Sequence, residues 1–89
     1  MASTQKRERV IKLSVSRAIK PHGGRFIKFI HGKNHPKVIF TDEHGSLWSH
    51  PYAGSPRTSM ERHAKVVTDD VLRHFKGRTS SRAVPYLGG

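Results

Sequence analysis

Seven histidines and seventeen lysines and arginines are the side chains through which this 89-residue sequence could do chemistry. Histidine titrates near neutrality, so a histidine pair beside a lysine is enough for general acid–base cleavage of an RNA backbone. His22, His31, His35, His44 and His50, with Lys33 or Lys37 nearby, supply those groups. They fall on turns and strand ends, and spacing alone does not place any pair within hydrogen-bond reach. A small metal-independent ribonuclease is therefore an alternative reading, and the chain is expected not to be an enzyme.

Structural zinc sites usually draw on thiolates, and this chain has no cysteine. His31 and His35 are four apart, but they straddle a strand-to-turn junction and do not share a helical face. No metal or other cofactor is expected. Gly23-Gly24 lacks the surrounding pattern of a phosphate-cradling loop. Asp42-Glu43 falls in a turn and Asp69-Asp70 on a helix, so no carboxylate pair is set up for catalysis.

The cations point elsewhere. The formal net charge is +11, with an isoelectric point near 11.0. Residues 1–37 carry ten Lys or Arg against Glu8 alone, and residues 38–89 carry seven against five acids. Self-repulsion on this scale is relieved by an anionic partner, and nucleic-acid phosphates release condensed counterions when neutralised. Lys12, Arg17, Lys20, Arg25, Lys28, Lys33 and Lys37 are the candidate phosphate contacts. The run Arg25-Phe26-Ile27-Lys28-Phe29 interleaves cations with aromatics, a pattern that stacks bases while holding phosphates. Phe26, Trp48 and Tyr52 are the candidate stacking rings. The alternative partner is a protein: the basic face would dock on an acidic surface of a polymerase, a ribosome or another host enzyme, as a small phage or viral regulator would.

These groups need elements to position them. Arg9 to Ile19 alternates Ile11, Leu13 and Val15 with Lys12, Ser14 and Ser16, which predicts a half-buried strand. Lys20-Pro21-His22-Gly23-Gly24 is a turn. Arg25 to His31 is a strand with Ile27 and Phe29 on one face and Phe26, Lys28 and Ile30 on the other. After the turn Gly32 to Pro36, Lys37 to Thr41 is the next strand. A hairpin loop at Asp42 to Gly45, with Gly45 left-handed, leads to a strand over Ser46 to His50. His50 to Arg57 reads as a loop. Thr58 and Glu61 form a capping box. Met60, Ala64, Val67, Val71 and Phe75 then follow at helical spacing, and Gly77 ends the helix.

The resulting fold class is α+β: a twisted antiparallel sheet of three or four strands, open or curled toward a small barrel, followed by one C-terminal helix. Residues 1–8 are expected as a flexible basic arm, 9–77 as one domain and 78–89 as a flexible tail. No apolar run approaches the ~20 residues that span a bilayer. With no signal core at the start, the expectation is no membrane partner and a cytoplasmic location. Oligomeric state, and the choice between DNA and RNA, are not legible.

Overall fold

A helix stands where alternation predicted the first strand. In the computed structural model, which describes residues 2–31, 35–52, 58–77 and 82–84 (side chains of 2–5 and 82 excepted), α1 spans Ala2–Ile19. The reason is a degeneracy in the apolar pattern. Ile11, Val15 and Ile19 recur every four residues, a step that keeps side chains on one face of a helix and of a strand alike. Leu13 decides between the two. A strand would bury it with Ile11 and Val15; a helix turns it about 200° away from Ile11. Leu13 is 49% exposed, whereas Ile11, Val15 and Ile19 are fully buried. The flanking Gln, Lys, Arg and Glu at 5–9 are good helix formers that propensity favours over a strand. Residues 2–8, expected as an arm, belong to this helix.

Pro21 helps to end α1, because it supplies no N–H and restricts Lys20. The chain tightens into a 3-10 turn, Lys20–His22, and Gly23 reverses it at φ 82°. The N–H groups of Gly23 and Gly24 then donate to the carbonyls of Lys20 and Ile19. Gly24 is buried where three elements converge. A Cβ there would lie 2.6 Å from Phe75 Cζ and 2.8 Å from the Thr41 carbonyl oxygen.

Strands β1 (Arg25–His31), β2 (Pro36–Thr41) and β3 (Leu47–Pro51) form the expected meander. A fourth strand, β4 (Arg82–Val84), comes from the stretch expected as a tail. The sheet is antiparallel throughout, in the order β1-β2-β3-β4, and is not closed into a barrel. A bulge between Phe26 and Lys28 changes the predicted facing of β1. Phe26 lies opposite Phe40 and Phe29 opposite Val38, so both rings point to the same side, 5.0 Å apart. One extra residue in a strand shifts the alternation by one.

Helix α2 (Met60–Phe75) is unbroken, and its cap is Ser59 in place of Thr58, with Ser59 Oγ accepting the Arg62 N–H at 3.2 Å. It ends at Lys76 and a left-handed Gly77. Its apolar stripe is the expected one: Ala64, Val67 and Val71 are buried, with Phe75 against them. They pack with Ile11, Val15 and Ile19 of α1 on Val38 and Phe40 of β2. Both helices therefore cover one face of the sheet, and α1 meets α2 alongside. Two polar contacts fix that seam: Ser14 Oγ to Thr68 Oγ1 at 2.6 Å, and Arg7 donating to His63 Nδ1 at 3.2 Å. A contact between Glu8 and His31 ties α1 to the end of β1.

Candidate nucleic-acid interface

The reversal at Gly23 lays the C-terminal half of α1 beside the start of β1. Between them runs a groove of about 520 Å³ lined by Ser16, Lys20, Gly24, Arg25, Phe26 and Ile27. Lys12, one turn before Ser16, reaches over the groove wall: its Nζ lies 5.8 Å from the centroid of the Phe26 ring. A cation held over a ring in this way keeps most of its hydration and gains roughly 0.5–1 kcal/mol.

Beyond Arg25 the charge continues onto the sheet. Lys37, Ile39 and Thr41 alternate with the helix-facing Val38 and Phe40, so they belong to the opposite face. Arg25 pairs with Thr41 and Lys28 with Ile39, which puts both cations on that face with Lys37. Lys12, Lys20, Arg25, Lys28 and Lys37 are all exposed. They form one band from α1, over the β1 edge, onto the sheet face away from the helices, where Ile39 and Ser49 are themselves buried. Arg17 is exposed as well but is outside the band, because five residues carry it about 140° around α1 from Lys12. Lys33 lies outside the described residues.

The acids leave this band largely unneutralised. Among the described residues, Arg73 is the one Lys or Arg within ion-pair distance of a carboxylate, at 3.6 Å from Asp70. Glu43 stands at the groove margin, since a Cβ on Gly23 would come within 3.0 Å of its own Cβ, and its carboxylate takes His44 at 3.3 Å.

The three candidate stacking rings are placed differently from the cations. Phe26, Trp48 and Tyr52 are half-buried and packed against the hydrophobic core. Trp48 lies 4.3 Å from the His74 ring, and its Nε1–H donates to Asp42 Oδ2 at 3.0 Å. Tyr52 contacts Phe29 and His63, with centroids 6.2 and 5.6 Å away. Burial, and secondarily the charge of Glu8, push its hydroxyl up to about 12. Of the proposed basic–aromatic set, only Phe26 is brought beside a cation of the band, and the bulge in β1 turns its ring inward.

Asp42 organises the turn between β2 and β3. Its Oδ1 accepts the N–H groups of His44 and Ser46 at 2.9 and 3.0 Å, while Oδ2 holds Trp48. The indole hydrogen bond is the main reason its carboxyl lies below the usual range; burial opposes the shift and the two backbone N–H groups add to it. An Asp three residues before a left-handed Gly is the available signal, because Asp side chains close turns on their own backbone.

The histidines do not gather. His22 stacks on Phe75, His31 meets Glu8, His44 meets Glu43, and His50 lies 3.6 Å from Asp70. Among the described residues, no three His, Asp or Glu side chains are grouped so as to hold a metal ion. Burial lowers the pKa of His50; Asp70 pulls it back up and Arg73 adds a smaller lowering. No described helix is long and apolar enough to cross a membrane. No protein-family model matches this chain, and no curated protein or solved structure matches it.

Proposed function

We propose that this is a non-catalytic nucleic-acid-binding protein that holds phosphates with Lys12, Lys20, Arg25, Lys28 and Lys37. One observation carries the reading: five exposed cations lie on neighbouring elements, and among the described residues none is paired with a carboxylate. Crowded, unneutralised cations raise the energy of the free protein and favour a polyanion that replaces its own counterions with them. Arg17 adds to the field from the outer side of α1. DNA and RNA offer the same phosphate chemistry, and either partner is consistent with a cytoplasmic location.

The test is the salt dependence of binding. Five phosphate contacts on duplex predict a log–log slope of about −4.5. Arg25→Gln and Lys28→Gln should each make it shallower by about 0.9, because each removes one contact. Both side chains are exposed, so the fold should survive. Absence of binding to any DNA or RNA at low salt would end the proposal.

A second reading has one observation in its favour. Ile30, opposite Lys37, is 37% exposed and gives the band an apolar component suited to a protein partner with an acidic surface. One stoichiometric protein partner, retained after nuclease treatment, would favour it.

A further inference from the structure

One ring shares a site with the band. Phe26 lines the groove between α1 and β1 together with Lys20 and Arg25, and Lys12 holds its Nζ 5.8 Å from the ring centroid. Resting on the phosphate-binding reading above, we infer that this groove is a subsite for one unpaired nucleotide of a bound strand, with its base stacked on Phe26 and its phosphate held by Lys20 and Arg25.

The walls select that occupant. Phe26, Ile27 and Gly24 give an apolar surface, and Lys20 and Arg25 stand beside it as exposed cations. A fitting ligand is flat and apolar at one end and anionic at the other, which describes a nucleoside phosphate. The groove's volume, about 520 Å³, lies within the roughly 300–1,000 Å³ of small-molecule sites. Ser16 adds a hydroxyl, which can donate to or accept from a base edge. The ring is held in place beforehand: Phe26 is half-buried against the core, with the Phe29 ring 5.0 Å away. Lys28 and Lys37 continue the charge beyond Arg25, so neighbouring phosphates of a strand meet cations too. A free nucleotide would leave those two unused.

Lys12 occupies the ring in the free protein. Its contact is worth roughly 2- to 5-fold in an equilibrium. A base stacked on an aromatic side chain is worth roughly 5- to 150-fold. The base therefore displaces the ammonium, and the freed Lys12 becomes available to a phosphate. A base inside a continuous duplex must leave its stack to reach the ring, whereas an already unpaired base does so at least cost.

The experiment titrates the full chain with two probes of equal charge: a 20-base-pair duplex carrying one bulged adenosine, and the same duplex with an abasic residue at the bulge. Each is made in DNA and in RNA, and anisotropy of a labelled strand gives the affinities. The base-bearing probe should bind about tenfold tighter. Phe26→Leu should bring that ratio close to one, and Phe26→Tyr, which keeps the ring, should preserve it. A ratio near one for the parent chain, or one that survives Phe26→Leu, would overturn the nucleotide subsite and leave the phosphate-binding reading in place. Displacement of the adenosine-bulged probe by AMP at the probe's own concentration would overturn the assignment to a strand. No binding of any probe would overturn both readings.

Discussion

Replacing Asp42 with Ala removes one carboxylate and leaves three N–H groups without their acceptor: the backbone groups of His44 and Ser46 and the Trp48 indole. A hydrogen bond to a charged group contributes about 1.5–3 kcal/mol. The three bonds share one acceptor, and His44 and Ser46 are exposed, so water replaces much of what those two lose. Trp48 is half-buried against His74, and its Nε1–H is the costly orphan. The expected loss is about 3 kcal/mol, or roughly 12–24 °C in Tm for a domain of this size. Asp42→Asn should lose less, about 1.5–2 kcal/mol, because its carbonyl can still serve the backbone while its amide meets the indole as a second donor. Urea unfolding followed by Trp48 emission reads both variants, with the midpoint shifting at constant slope. Acid adds a second signature. The folded carboxyl titrates below the ordinary 3.8, so its contribution is present above that pH and is lost as pH falls through the lowered folded value. The Ala variant should lack that part of the acid transition. A change under about 0.5 kcal/mol for Asp42→Ala would refute the account of the β2–β3 turn.

Three further outcomes follow from the packing. Ile11→Ala should cost about 2–5 kcal/mol and Leu13→Ala under about 1 kcal/mol, since only the first deletes buried methyl groups; equal losses in thermal unfolding would point back to a strand. Gly24→Ala should destabilise by about 2–3 kcal/mol because the Thr41 carbonyl cannot move aside, whereas Gly45→Ala meets open space and pays about 1–2 kcal/mol for its positive φ. The pKa of His50 is lowered from 6.5 by burial, so its contribution to stability is complete above pH 6.5 and fades as pH falls toward the folded value. NMR titration of Asp70→Asn should move that pKa lower still, and an upward move would contradict the geometry.

The meander and α2 were legible because their signals are local. The turn residues around Gly45 and the three- and four-residue spacing from Met60 to Phe75 each admit one regular structure. The first element was not, because the four-residue step of Ile11, Val15 and Ile19 fits a strand and a helix equally, and nothing local reveals which way Leu13 faces. The facing of Phe26 depended on a bulge, which the pattern Arg25 to His31 does not announce. β4 is three residues whose pairing with Leu47 to Ser49 is wholly non-local. The candidate site was legible as a set of charges and not as a surface. Lys12, Lys20, Arg25, Lys28 and Lys37 come together, while Arg17 and the rings Trp48 and Tyr52 are carried elsewhere by the helix and the sheet facing.

Position against mere charge is the central question, and one comparison decides it. The double variant Arg25→Gln/Lys28→Gln and the double variant Arg62→Gln/Lys65→Gln lose the same two charges, the second pair from exposed sites on α2 outside the band. Duplex affinity is measured against salt for both and for the parent chain. The band predicts that the first slope becomes shallower by about 1.8 and the second stays close to the parent value. Equal changes in both, or none in either, would contradict a phosphate-binding band on this face.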